Sequence, residues 1–162
     1  MLKFIAAAMA AALLLSPFAA AAQAPPAYGP PITLEAAKKA LAAAEAEAKK
    51  NGWFMAIAVV DSSSRLVAFS RMDNTQLGSI DIALGKATTA NNLKRPTKAL
   101  QDAIAQGGAN LRLLAAPGVL PLEGGVPIVA DGKIIGAIGV SGATSEQDAQ
   151  CAMAGIAAAL AK

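Results

Sequence analysis

An α+β fold is predicted for this chain: an antiparallel β-sheet built from two hairpins and packed with α-helices. Two strand-turn-strand units stand far apart, one beginning at Trp53 and one at Val126. The segments between and around them carry helical rather than alternating spacing. Strands and helices are therefore segregated, which argues against a doubly wound parallel sheet and for an antiparallel layer covered by helices.

The first helix is expected from Leu34 to Lys50. Thr33 is placed to cap it, Ile32 to staple its start, and Asn51-Gly52 to stop it. Its apolar stripe reads Leu34, Ala37, Leu41, Ala44, Ala48. "WFMAIAVV" then reads as a strand, "DSSSR" as a turn and "LVAFSRM" as the return strand. Both alternating sets of the first strand are apolar, Trp53, Met55, Ile57 and Val59 against Phe54, Ala56, Ala58 and Val60, so it requires cover on both faces.

Ser79 to Asn92 has helical spacing at Ile80, Leu84, Ala87 and Asn91, with Ser79 as the expected cap. Pro96 interrupts, and Thr97 to Gln106 forms a shorter helix ended by Gly107-Gly108. "VPIVA", Asp131-Gly132 and "KIIGAIGVS" give the second hairpin, and Pro127, which cannot donate to a ladder, puts its first strand at an edge. A last helix starts near Ser145, with Ser145 and Asp148 at capping-box spacing and a small-residue stripe of Cys151, Ala154, Gly155 and Ala158.

Ahead of these elements, Lys3, the apolar run "FIAAAMAAALLL" and the small residues that follow have the pattern of a secretory signal peptide, residues 1–22. Residues 23–31, "QAPPAYGPP", read as an extended, mobile leader with Tyr28 as a tether, and residues 32–162 as the domain. The expected location is exported, periplasmic or secreted. The apolar run is shorter than the roughly 20 residues that span a bilayer, so no membrane span is expected. Formal charge is +3, falling to +2 when Lys3 leaves, too little to argue for nucleic acid. The single cysteine, Cys151, allows no internal disulfide.

The chain has no histidine. Ser-His-Asp and Cys-His arrangements, the usual near-neutral base and the commonest haem-iron ligand are thereby removed. Among the residues that remain, Glu123 lies on a loop whose Gly124 and Gly125 leave backbone N–H groups open to a ligand; it is read equally as a turn residue paired with a cation. Arg71, Met72 and Asp73 end a strand, where Arg71 suits a carboxylate in bidentate fashion. Lys86, on an apolar helix face, reaches toward Glu123 or an anion, or lays its stem across apolar surface with its head in water. Arg95 and Thr97, with Lys94 and Lys98, surround a helix start that suits anions.

"MAIAVVD", "LVAFSRMD", "SIDIALGKATTA", "RPTKAL", "PLEGGVPI" and "GAIGVSGATSEQD", in this order, closely resemble the GlcG/HbpS family, haem-degrading-domain-like proteins, over nearly all of the chain from Ile32. The resemblance implies a profilin- or PAS-like layered domain, homo-oligomers, and haem or another carboxylated tetrapyrrole as ligand. The missing histidine departs from relatives that hold iron through one, which leaves Met72 as a thioether candidate or haem held without a protein ligand. The expected site gathers Arg71, Lys86, Arg95, Glu123 and the Gly124-Gly125 backbone. Two alternatives stand beside it: an enzyme with Glu123 as general base and Lys86 or Arg71 holding a small carboxylate substrate, and a structural oligomer without ligand.

Overall fold

The computed structural model describes residues 24–161; the expected signal peptide, residues 1–22, lies outside the described residues. In chain order the elements are β1 (Ala27–Tyr28), α1 (Leu34–Asn51), β2 (Ala56–Asp61), β3 (Leu66–Arg71), α2 (Ser79–Asn92), α3 (Thr97–Ala105), a 3-10 helix (Gly108–Ala115), β4 (Gly125–Ala130), β5 (Lys133–Ser141) and α4 (Ser145–Leu160). The two hairpins pair as expected, β2 with β3 and β4 with β5, and β5 joins them by pairing antiparallel with β2. The resulting order is β4-β5-β2-β3, with β1 parallel to the first residues of β5.

Both faces of this sheet are covered, and the two alternating sets in β2 explain how. Met55, Ile57 and Val59 join Ile138, Val140 and the alanines of α1 in one buried cluster. Ala56, Ala58 and Val60 meet Ala83, Ala87 and Ala90 of α2 in another. The second face is built almost wholly of small residues, so α2 sits with its backbone against β5. A Cβ at Gly139 would run into the carbonyl of Ala83. The same device joins α1 to α4, where a Cβ at Gly155 would lie 2.7 Å from the carbonyl oxygen of Ala40.

This close packing corrects the expected stripes. In α1 the buried residues are Ala37, Ala40, Ala44 and Ala48, whereas Leu34 is exposed and Leu41 half-buried. Leucines at the seam would hold α1 and α4 apart, so the helix turns its alanines inward. In α2, likewise, Leu84 faces outward and Ala83 inward. Ser79 is not the cap: Gly78 holds that position, and Ser79 is buried with its hydroxyl accepting from Ser141 Oγ at 3.2 Å. The capping box of α4 is one residue earlier than expected, Thr144 with Gln147, which frees Asp148 for the interior.

The leader is not mobile from Ala27 onward. Gly29 N–H donates to Ile134 and Ile32 N–H to Ile135, both at 2.8 Å. The Tyr28 hydroxyl donates to the Asn91 carbonyl at 2.9 Å, and the Lys94 ammonium lies 4.3 Å from the ring centroid. A two-residue strand among prolines shows no periodicity, which is why it escapes a pattern search. At the second hairpin, Asp131 and Gly132 both have positive φ, 48° and 72°, as its tight turn requires. Among the described residues no helix is long and apolar enough to cross a membrane.

Candidate functional site

The residues expected to share one pocket are divided between two places. Gly125 pairs with Gly139, Gly139 with Ala58, and Ala58 with Phe69. Three interstrand steps of about 4.8 Å each therefore separate the Glu123 end from the strand that carries Arg71.

At the first place, the "EGG" loop enters β4 over the C-terminal half of α2. Glu123 N–H donates to Gln101 Oε1 at 2.9 Å. Thr97 Oγ1 accepts from Gly125 N–H at 2.9 Å and donates to the Gly125 carbonyl at 3.3 Å. The Thr97 hydroxyl is thus a clamp on the loop and is buried, rather than the anion donor expected at a helix start. Gly124 has φ of 119°, and a Cβ there would lie within 2.9 Å of Asp148 Cβ, Val140 O and Lys86 Nζ. Glycine is required at this point for conformation and for space.

Those neighbours are the buried ion pair that sequence reasoning missed. Lys86 Nζ is 2.6 Å from Asp148 Oδ2 and donates to the Val140 carbonyl at 3.0 Å, with side-chain exposures of 2% and 3% for the two partners. Lys86 neither reaches Glu123 nor points to water. Burial pushes the Asp148 carboxyl above its ordinary range, opposed by the Lys86 ammonium and the amides of Ala143 and Gly142. The missed signal was Asp148 itself: two residues of α4 offer capping chemistry, and only one is needed.

The Glu123 side chain is 10% exposed and lines a cavity of about 200 Å³ with Lys98, Gly124, Val126, Ala149 and Met153. Met153 is 55% exposed at this cavity. Arg95 is exposed, donates to the Leu93 carbonyl at 3.1 Å, and lines neither place.

The second place is an open groove of about 390 Å³ where β3 ends. Arg71, Met72 and Asp73 line it with Phe54, Ser70 and the Glu45 and Lys49 side chains of α1. Phe54 is 49% exposed and gives the groove an aromatic wall. Lys49 is tied to Glu45 at 2.6 Å. Arg71 has no ion pair or side-chain hydrogen bond among the described residues. The Met72 sulfur accepts from Met55 N–H at 3.4 Å, and Met72 is half-buried.

Of the other soft or aromatic donors, Met55 is fully buried, Tyr28 is occupied by Asn91 and Lys94, and the buried Cys151 thiol is pushed up to about 12, chiefly by burial. Among the described residues no group of three or more His, Cys, Asp or Glu is placed to hold a metal ion.

An antiparallel sheet sandwiched between one helix on one face and two on the other, with two clefts at the same end of its strands, three strands apart, defines a small layered α+β domain. The chain belongs to the HbpS-like family, whose model, described as haem degrading protein HbpS-like, matches residues 32–157. Protein GlcG of Escherichia coli K12 is 44% identical over 110 residues, which is 68% of this chain and 81% of GlcG. The crystal structure of Klebsiella pneumoniae protein ORFY superposes with a TM-score of 0.79 at 32% identity, covering 83% of this chain and 94% of ORFY. A PduOC:haem complex superposes with a TM-score of 0.73 at 29% identity, covering 79% and 94%.

Proposed function

We propose that this protein binds a planar, carboxylated tetrapyrrole such as haem in the groove at the end of β3. The observation that carries the reading is Arg71: a guanidinium without a partner among the described residues, beside the exposed Phe54 ring and the apolar stem of Met72. Such a groove accepts a flat apolar body against Phe54 and Met72 and a carboxylate on Arg71. A relative solved with haem supports the ligand class. The residues fit the macrocycle and its carboxylates. They do not present a free axial ligand, because the Met72 sulfur already accepts the Met55 amide and the chain has no histidine. When bound, haem would supply its iron chemistry; this chain's residues orient the macrocycle and hold its charge.

The geometry does not assemble the enzymatic alternative. Lys86 is sealed behind Gly124 and paired with Asp148, and Arg71 lies three strands from Glu123, so neither holds a substrate carboxylate beside it.

Haemin titration followed in the Soret band tests the proposal. Saturation near one haem per chain is expected, with affinity reduced by roughly 10- to 100-fold in Arg71→Ala, the scale of one charge-assisted hydrogen bond. Met72→Ala should leave the spectrum in place. Broad, non-saturating uptake, or an unchanged affinity in Arg71→Ala, overturns the site. The reading extends to an exported location, carried by the sequence of residues 1–22 and tested by fractionation of cells expressing the full chain.

A further inference from the structure

The Glu123 cavity lies apart from this groove and has its own chemistry. Its walls are largely apolar, from Pro96, Val126, Ala149 and the Met153 side chain. Into it faces a carboxylate that is nine-tenths buried and accepts no hydrogen bond among the described residues. Its nearest cation, Lys98 Nζ, stands 3.9 Å away and is held by both oxygens of Asp102 at 2.8 and 2.9 Å. A buried carboxylate without hydrogen-bond donors is costly.

The loop does not drift into this position. Gln101 holds the Glu123 amide, Thr97 clamps Gly125, and Val140 N–H donates to the Gly124 carbonyl at 3.0 Å. The Lys86–Asp148 pair packs directly beneath Gly124. The carboxylate is thus held in place beside a cavity whose one nearby cation, Lys98, is bound more closely by Asp102.

The charges around the cavity choose the partner. Lys86 is matched by Asp148, and Lys98 is shared by Asp102, Glu123 and Glu146, so negative charge exceeds positive around the cavity. Among the described residues no third ligating side chain for a metal ion stands here. The cavity, about 200 Å³, has room for a short aliphatic chain. We infer that this cavity binds a small aliphatic primary ammonium compound, its cation on Glu123 and its carbon chain against Val126, Ala149 and Met153.

Isothermal titration of the protein lacking residues 1–22 with n-butylammonium chloride tests this, with sodium butyrate and 1-butanol at the same ionic strength as comparisons. Saturable butylammonium binding is expected, at least 10-fold tighter than 1-butanol and with none for butyrate. Glu123→Gln should reduce it by 10-fold or more. Met153→Trp, at an exposed position, should fill the cavity and abolish it, which keeps the test decisive if Glu123→Gln does not fold. Butyrate binding, equal affinity for the alcohol, no saturable binding by butylammonium, or binding untouched by Met153→Trp would each overturn the inference.

Discussion

Lys86 shows how one side chain can be misread from its neighbours in sequence. Its setting on an apolar helix face offered a ligand contact or a solvated head, and the fold chose a third outcome, burial against Asp148 from a helix 62 positions away. Removing one partner of such a pair leaves a charge stranded in the interior. Asp148→Asn is expected to cost about 3–5 kcal/mol in urea unfolding, and the double substitution Lys86→Met with Asp148→Leu to recover most of it. A destabilisation under 1 kcal/mol in the single variant would mean that solvent reaches the pair. A different residue contributes to acid sensitivity. Glu47 is held below the ordinary 4.5, chiefly by the Gln150 side chain, which donates to it at 2.6 Å from α4. A carboxylate with a lowered folded-state pKa stabilises the fold fully above 4.5 and loses that contribution as pH falls through the folded value. The stability difference between wild type and Gln150→Ala should therefore shrink as pH drops below about 4.5; a constant difference down to pH 2 would remove Glu47 from the account.

The elements of this domain meet through small residues. Glycine and alanine in β5, α1, α2 and α4 bring backbones close enough that a single added methyl has no space. Gly139→Ala would drive a Cβ into the Ala83 carbonyl and to 2.5 Å from the Ala87 amide, so a loss of at least about 1–3 kcal/mol is expected from overpacking. At Gly78, where nothing lies within 4 Å and φ is ordinary, alanine should change stability by less than about 0.5 kcal/mol. Thermal melts of the two variants compare them directly, and equal melting temperatures would contradict the close packing of α2 on β5. Helix limits were legible because caps and stops are local: Thr33, Gly52 and Asn92 end or begin elements where their chemistry says they should. Helix phase was not. Which face of α1 turns inward depends on α4, and the alanine seam beat the larger leucines because distance between backbones, not hydrophobicity per residue, decides which helices can touch.

For the molecule as a whole, self-association is proposed from the family resemblance and from β3. This strand is an edge of the sheet and carries Leu66 and Phe69 at 52% and 37% exposure, a surface prone to pairing. Sedimentation velocity of the protein lacking residues 1–22 should give a mass above that of one chain, reduced by Phe69→Lys; a monomer at all concentrations would refute it. The sequence by itself determined the order of the four α-helices and two hairpins and the antiparallel class, because turn chemistry and hydrophobic period are written in neighbouring residues. It also singled out Glu123 as a side chain that packing does not require, and named Arg71 as a candidate for a carboxylate. Only the tertiary structure decided that these two stand at different sites, that Lys86 belongs to Asp148, and that the leader closes against β5. Each of those outcomes joins residues distant in the chain, and no local pattern encodes the register at which separate strands and helices come together.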